Sequence, residues 1–151
     1  MNSLIGEHGC KLDAKGRFLM PSGLRKQLPE DQQSEFVINR GLDKCLVLYP
    51  LKVWEKELEQ IQARNQYVKK NRAFTRWFLN GATPITLDGS ARINIPKRLT
   101  EHAGLKKDLV LVAQISKVEI WDKDTYQEWF EKPDYDFESL AEEVMGEDKG
   151  E

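Results

Sequence analysis

Apolar positions along this chain come in short bursts bounded by turn residues. Cys10-Lys11-Leu12 and Arg17-Phe18-Leu19-Met20 flank Asp13-Ala14-Lys15-Gly16, and the aspartate and glycine between them favour a tight turn, so the segment predicts two short strands. Pro21 suits the first turn of a following helix whose Leu24 and Leu28 face inward. Phe36–Asn39 and Cys45–Tyr49 are rich in strand formers and predict a hairpin. Leu51, Trp54, Leu58 and Ile61 then recur at helical spacing, which places them on one face of a helix. Phe74, Trp77 and Phe78 form a second apolar stripe, with Lys69, Arg72 and Arg76 on the opposite side.

The same order then returns. Gly81 to Leu99 reads GATPITLDGSARINIPKRL, against GEHGCKLDAKGRFLMPSGL for Gly6 to Leu24. At a constant offset of 75, Leu12, Asp13, Arg17, Pro21 and Leu24 meet Leu87, Asp88, Arg92, Pro96 and Leu99. Leu99 and Ala103 repeat the inward pair of the short helix, and Gly104 suits the position just past its end. Leu109–Ala113 with Val118–Trp121 repeat the hairpin. Beyond it, Thr125 and Glu128 form a capping-box pattern for a helix that turns Trp129 and Phe130 inward. Two copies mean a duplicated unit, because a solenoid needs three or more. A unit of about 45 residues is too small to bury its own core, so the copies must pack together, interleave or pair between chains. The reading is therefore α+β and mainly β: a first repeat over 4–54, a helical connector over 55–80, a second repeat over 81–130, and an acidic tail over 131–151 that is expected to be disordered.

Composition changes this picture chiefly through charge. The net charge of −2 over 151 residues hides a division along the chain. Residues 1–118 carry 20 Lys and Arg against 12 Asp and Glu, whereas residues 119–151 carry 3 against 13. A basic body joined to an acidic end points weakly to a polyanion partner. No apolar run is long enough to span a bilayer, and the N-terminus lacks the basic and apolar regions of a secretory signal.

Candidate chemistry concentrates in the repeated Asp-x-x-x-Arg motifs. Asp13 or Asp88, next to a tight turn, can accept backbone N–H groups and fix the loop, with Gly16 supplying the turn. Each aspartate can also hold the arginine four residues on in one orientation. Arg17 and Arg92 carry a planar fork that suits phosphate, or guanine O6 and N7. Lys15, Lys11 and Arg25 would add phosphate charge around the first motif, with Lys97 and Arg98 near the second. Lys69, Arg72 and Arg76 are auxiliary candidates, in a stretch from Gln60 to Leu87 without a single acid. The same pairs read equally well as staples that close a hairpin, and the basic helix as a solvated face or a subunit contact.

Other chemistries find no support. His8 and His102 stand in no metal-binding motif, and Cys10 and Cys45 read as small buried side chains. Nucleophile elbows, Walker loops and dinucleotide fingerprints are absent, so no enzyme, cofactor, metal or small-molecule substrate is expected. The four tryptophans read as core rather than as base-stacking platforms.

Taken in order, the two Asp-x-x-x-Arg motifs, the segment Leu46-Val47-Leu48-Tyr49-Pro50-Leu51-Lys52-Val53-Trp54-Glu55, the segment Arg72 to Ala82, His102-Ala103-Gly104-Leu105 and Val118-Glu119-Ile120-Trp121-Asp122 resemble the MraZ family of bacterial transcriptional regulators over residues 4–130. The resemblance implies two SpoVT-AbrB-type, swapped-hairpin half-units joined into one pseudo-twofold domain. It also implies a cytoplasmic, nucleoid-associated ring of several chains that binds repeated double-stranded DNA boxes upstream of its own division and cell-wall gene cluster. An adaptor that forms rings and docks an acidic protein without specific DNA binding is the alternative; single-stranded RNA is disfavoured because exposed aromatics among Lys and Arg are not evident. Ala91 stands where the family usually has glycine, so the second turn is expected to avoid positive φ. Thr100 stands where the first copy has Arg25. Both departures predict stronger DNA contacts from the first copy.

Overall fold

The computed structural model describes residues 3–146. The first half runs β1 (Glu7–Lys11), β2 (Arg17–Leu19), α1 (Ser22–Arg25), a 3-10 turn at Glu30–Gln32, β3 (Glu35–Arg40), β4 (Leu46–Pro50) and α2 (Leu51–Gln62). Helix α3 (Lys69–Leu79) connects it to the second half: β5 (Thr83–Thr86), β6 (Arg92–Asn94), α4 (Lys97–Ala103), β7 (Asp108–Gln114), β8 (Lys117–Asp122) and α5 (Lys123–Glu131). Helix α6 (Phe137–Gly146) closes the described chain. The class is α+β with two repeated units, and all strand pairings are antiparallel.

Six strands form one sheet in the order β1-β7-β8-β4-β3-β5, and β2 and β6 form a separate two-stranded ribbon. The leading strand of each half joins the hairpin of the other half. Cys10 of β1 lies opposite Leu109, and its counterpart Ile85 of β5 lies opposite Phe36. This exchange explains how repeats too short to bury a core become stable: each hairpin gains a third strand only from its sister. A pseudo-twofold passes between β4 and β8, where Leu46 pairs with Ile120 and Leu48 with Val118 around Val47 and Glu119. It also passes through the ribbon, where Phe18 faces Ile93, with Arg17 opposite Asn94 and Leu19 opposite Arg92.

Alternation along the strands sends consecutive side chains to opposite faces of the sheet, and both faces are covered. Ile38, Leu48, Leu111 and Ile120 face the ribbon and the short helices, packing with Phe18, Ile93, Leu24 and Leu99 in one cluster. Val37, Val47 and Tyr49 face α2, where Trp54 meets Tyr49 at a ring-centroid distance of 5.2 Å and stacks on Phe78 of α3 at 5.6 Å. In the second half, Trp121 meets Tyr126 of α5 at 5.5 Å. Burial on both faces is why β4 reads as a continuous apolar run rather than an alternating one.

The elements match the sequence pattern most closely where the period was strongest. Trp54 and Ile61 of α2 are buried, and Gly104 ends α4 in the left-handed region at φ +61°. Three expectations are overturned. Helix α5 is capped by Asp122, whose carboxylate accepts from Thr125 N, and not by a Thr125–Glu128 box. That phase turns Tyr126 to the core and leaves Trp129 and Phe130 exposed, edge to face against each other at 4.9 Å. Trp77 is also exposed, so only Trp54 and Trp121 of the four tryptophans are core residues. Within the segment expected to be disordered, Phe137–Gly146 is helical, with Asp136 accepting from the Ser139 backbone and hydroxyl; residues 147–151 of that segment lie outside the described residues. Among the described residues no helix is long and apolar enough to cross a membrane.

Candidate nucleic-acid interface

The two Asp-x-x-x-Arg motifs fold into the same loop twice. In the first, Asp13 Oδ1 accepts the backbone N–H groups of Lys15 and Arg17, both at 2.9 Å. Its Oδ2 accepts Arg17 Nε at 3.0 Å, while Gly16 N donates to Asp13 O and Asp13 N to Arg17 O. In the second, Asp88 Oδ1 accepts from Ser90 N at 2.8 Å and Arg92 N at 2.9 Å, and Oδ2 accepts Arg92 Nε at 2.9 Å. These donors hold both carboxyls below the ordinary 3.8, the backbone N–H of the arginine contributing most in each.

The staple that closes each loop also orients its arginine. Each aspartate takes the Nε edge of its arginine and fixes the plane of the guanidinium. The two terminal nitrogens of Arg17 and of Arg92 make no hydrogen bond among the described residues, so each guanidinium is held by its Nε edge. Both carboxylates are filled by donors from their own loops.

Ala91 departs from its expectation. It adopts φ +61° in the turn where Gly16 has +82°. The reason is cooperative: Ala91 N must reach Asp88 O, and Ala91 O accepts Met20 N from the ribbon partner, just as Gly16 O accepts Ile95 N. Those bonds, with the Asp88 clamp, outweigh the roughly 1–2 kcal/mol that an alanine loses in the left-handed region. The turn geometry thus offers no reason for the first copy to bind more strongly.

The ribbon carries both arginines on one surface. Phe18 and Ile93 point inward, so Arg17, Leu19, Arg92 and Asn94 all point outward as two cross-strand pairs. Leu19 and Asn94 went unremarked in the sequence reading. The alternation around Phe18 and Ile93 was there to find them, but the pairing of two strands 75 residues apart was not.

Around the ribbon, Lys15 is exposed at the first loop, and together with Lys97 it lines a groove that also includes Asp13, Gly16 and Asn94. Arg98 is exposed on α4. Lys11 is ion-paired with Asp108 at 2.7 Å, an exposed pair that contributes little. Arg25 Nε donates to Gln33 O, which ties part of this guanidinium to the loop before β3. The structure does not bring the connector's cations to this place. Helix α3 is anchored by Arg40, whose guanidinium donates to Trp77 O and Asn80 O, at the opposite end of β3 from Glu35, where β5 leads to Asp88. Those ends are about 17 Å apart. Arg72 donates to Gln66 O and Tyr67 O and closes the α2–α3 loop, while Lys69 and Arg76 are exposed. Tyr67, Phe74 and Trp77 are exposed among these cations, contrary to the expectation that no such interleaving exists.

The remaining candidate groups are quiet. Burial pushes the Cys10 thiol up to about 11 and the Cys45 thiol up to about 12, so neither is a nucleophile near neutral pH. No cluster of His, Cys, Asp and Glu suited to a metal ion occurs among the described residues.

Comparisons with known proteins agree with the duplicated pattern. The family model described as "MraZ protein, putative antitoxin-like" matches twice, over residues 4–77 and 78–147. A protein of Christiangramia forsetii named "Transcriptional regulator MraZ" is 45% identical over 149 residues, 98% of this chain and 96% of its own. One of the same name from Flavobacterium psychrophilum is 44% identical over 147 residues, 97% of this chain and 94% of its own.

Proposed function

Since the chain belongs to the MraZ family, we propose that it is a transcriptional regulator that binds double-stranded DNA sequence-specifically through the β2–β6 ribbon and its two loops. The family is one of regulators and not of enzymes. The observation that carries the reading is the pair of arginines on one exposed surface, each held through Nε by an aspartate and free at its terminal nitrogens. A two-stranded ribbon fits the major groove, and an arginine fork fits guanine O6 and N7 there. Lys15, Lys97, Arg98 and the half-free Arg25 supply phosphate contacts, and Lys11 joins them when it exchanges Asp108 for a phosphate. The exchanged leading strands support the swapped-hairpin, AbrB-like description of the half-units.

One subunit with two arginines and a few lysines binds weakly, so the working form is a ring of several chains reading repeated boxes upstream of its own cell-division and cell-wall cluster, at the nucleoid. Linked sites raise avidity by about 10²–10⁴. Exposed Phe74 and Trp77 on α3, and Trp129 and Phe130 on α5, supply apolar surface for contacts between copies. Lys69, Arg72 and Arg76 belong to that contact region rather than to the ribbon.

A gel-shift titration of the protein on its own upstream DNA tests the proposal. The expected result is a sequence-selective shift that weakens with salt and disappears in Arg17→Ala/Arg92→Ala. A folded oligomer that ignores this DNA at modest ionic strength sinks the reading and leaves the adaptor.

A further inference from the structure

On the outward face of the ribbon the pseudo-twofold is broken at one position. Residues 19 and 94 are equivalent under the dyad, and each stands opposite the other half's arginine, yet one is leucine and the other asparagine. Neither choice serves the fold. Leu19 is 59% exposed on a polar surface, and the Asn94 side chain makes no hydrogen bond among the described residues. Asparagine is also a poor strand former. Asn94 Oδ1 lies 3.8 Å from where a Cβ on Gly16 would sit, so its amide stands over the first loop, beside Arg17 and the groove lined by Lys15.

We propose that Leu19 and Asn94 are the specificity-determining residues that make the two halves of the ribbon read different bases. The proposal rests on the DNA-binding reading above and goes beyond it. On one side, Arg17 and Asn94 form a neighbouring pair suited to a guanine beside an adenine: the fork takes guanine O6 and N7, and the amide takes adenine N6 and N7. On the other side, Arg92 and Leu19 suit a guanine beside a thymine, whose C5-methyl packs on the exposed leucine. The aspartate clamps are the same in both halves, so they cannot discriminate the two sides. The leucine–asparagine difference can. The recognised box is consequently not a palindrome, although the protein surface that reads it is nearly twofold.

The test is a selection by full-length protein from a pool of short duplexes with randomised sequence, repeated with Leu19→Asn and Asn94→Leu, and read quantitatively by fluorescence anisotropy on the enriched duplexes. Wild type is expected to enrich an asymmetric box. Leu19→Asn shifts the base beside the Arg92 contact from thymine to adenine and makes the box palindromic. Asn94→Leu lowers the preference for adenine beside the Arg17 contact by about tenfold, with overall affinity for non-specific DNA unchanged. Thermal unfolding checks that each variant is folded, and Leu19→Thr and Asn94→Ala replace any that is not. A palindromic wild-type box, or an enriched box that neither substitution changes, overturns the assignment. If wild type enriches no sequence, the DNA-binding reading falls and the assignment falls with it.

Discussion

Gly16 and Ala91 occupy equivalent places in the two halves and share one left-handed backbone conformation, φ +82° and φ +61°. The glycine adopts it without a steric penalty; the alanine is held there by the bonds from Ala91 N to Asp88 O and from Met20 N to Ala91 O. Ala91→Gly is therefore expected to stabilise the protein by about 1 kcal/mol, less the entropy that glycine adds to the unfolded chain. Gly16→Ala is expected to destabilise it, and its Cβ would also press on Ile95 O at 3.4 Å. Urea midpoints at constant slope measure both.

The aspartate clamps set part of the acid sensitivity. Asp13 and Asp88 titrate below 3.8 in the folded protein, first because the arginine backbone N–H donates to each. A depressed folded value means that the contribution is present above the ordinary carboxylate range and is lost as pH falls through the folded value. Stability is expected to drop below about pH 4. In Asp13→Asn/Asp88→Asn that part of the drop flattens. Unfolding midpoints measured from pH 6 down to pH 2 give the comparison.

Asp122 is, with Asn39, one of two buried polar residues among the described residues. It is 1% exposed, accepts Lys106 N at 3.0 Å, and caps α5 through Thr125 N at 3.4 Å. Its counterpart at the start of α2 is Pro50, which has no side chain to cap with. Asp122→Ala leaves a part-buried amide without its acceptor and an uncapped helix, for an expected loss of about 2 kcal/mol. Loss of helical signal at α5 and a lowered melting temperature would report it; an unchanged melting temperature would count against the cap.

Lys15 and Arg17 are expected to fail differently on DNA. Lys15→Ala removes one phosphate contact, so the logarithmic salt slope falls by about 0.9 and sequence preference stays. Arg17→Ala removes base discrimination at one position, and so does Asp13→Ala, which leaves the arginine in place but unheld. Titrations on specific and scrambled duplexes at several salt concentrations separate the two patterns.

Residues 131–151 carry nine acids against two bases. Deleting them is expected to raise affinity for scrambled duplex DNA at low salt, where the repulsion they exert is least screened, and to leave binding at high salt unchanged. Equal low-salt affinity with and without the tail refutes the repulsion.

Local chemistry made much of this protein legible in one dimension. The helical period of Trp54 and Ile61, the turn at Asp13–Gly16, the left-handed Gly104 and the duplication at an offset of 75 need only neighbours in sequence to take effect. The clamp between Asp13 and Arg17 is likewise local, four residues closing on themselves. What the neighbours could not decide is which surface each element meets. Trp129 and Phe130 are apolar and helical, yet the cap at Asp122 turns them to solvent; Trp77 lies on a helix tied down by Arg40, 37 residues away. Above all, the pairing of Arg17 with Asn94 and of Leu19 with Arg92 exists only because two distant strands cross at the dyad. Residue type sets what a side chain can recognise, but long-range pairing sets which side chains stand together, and here that pairing assembles the face.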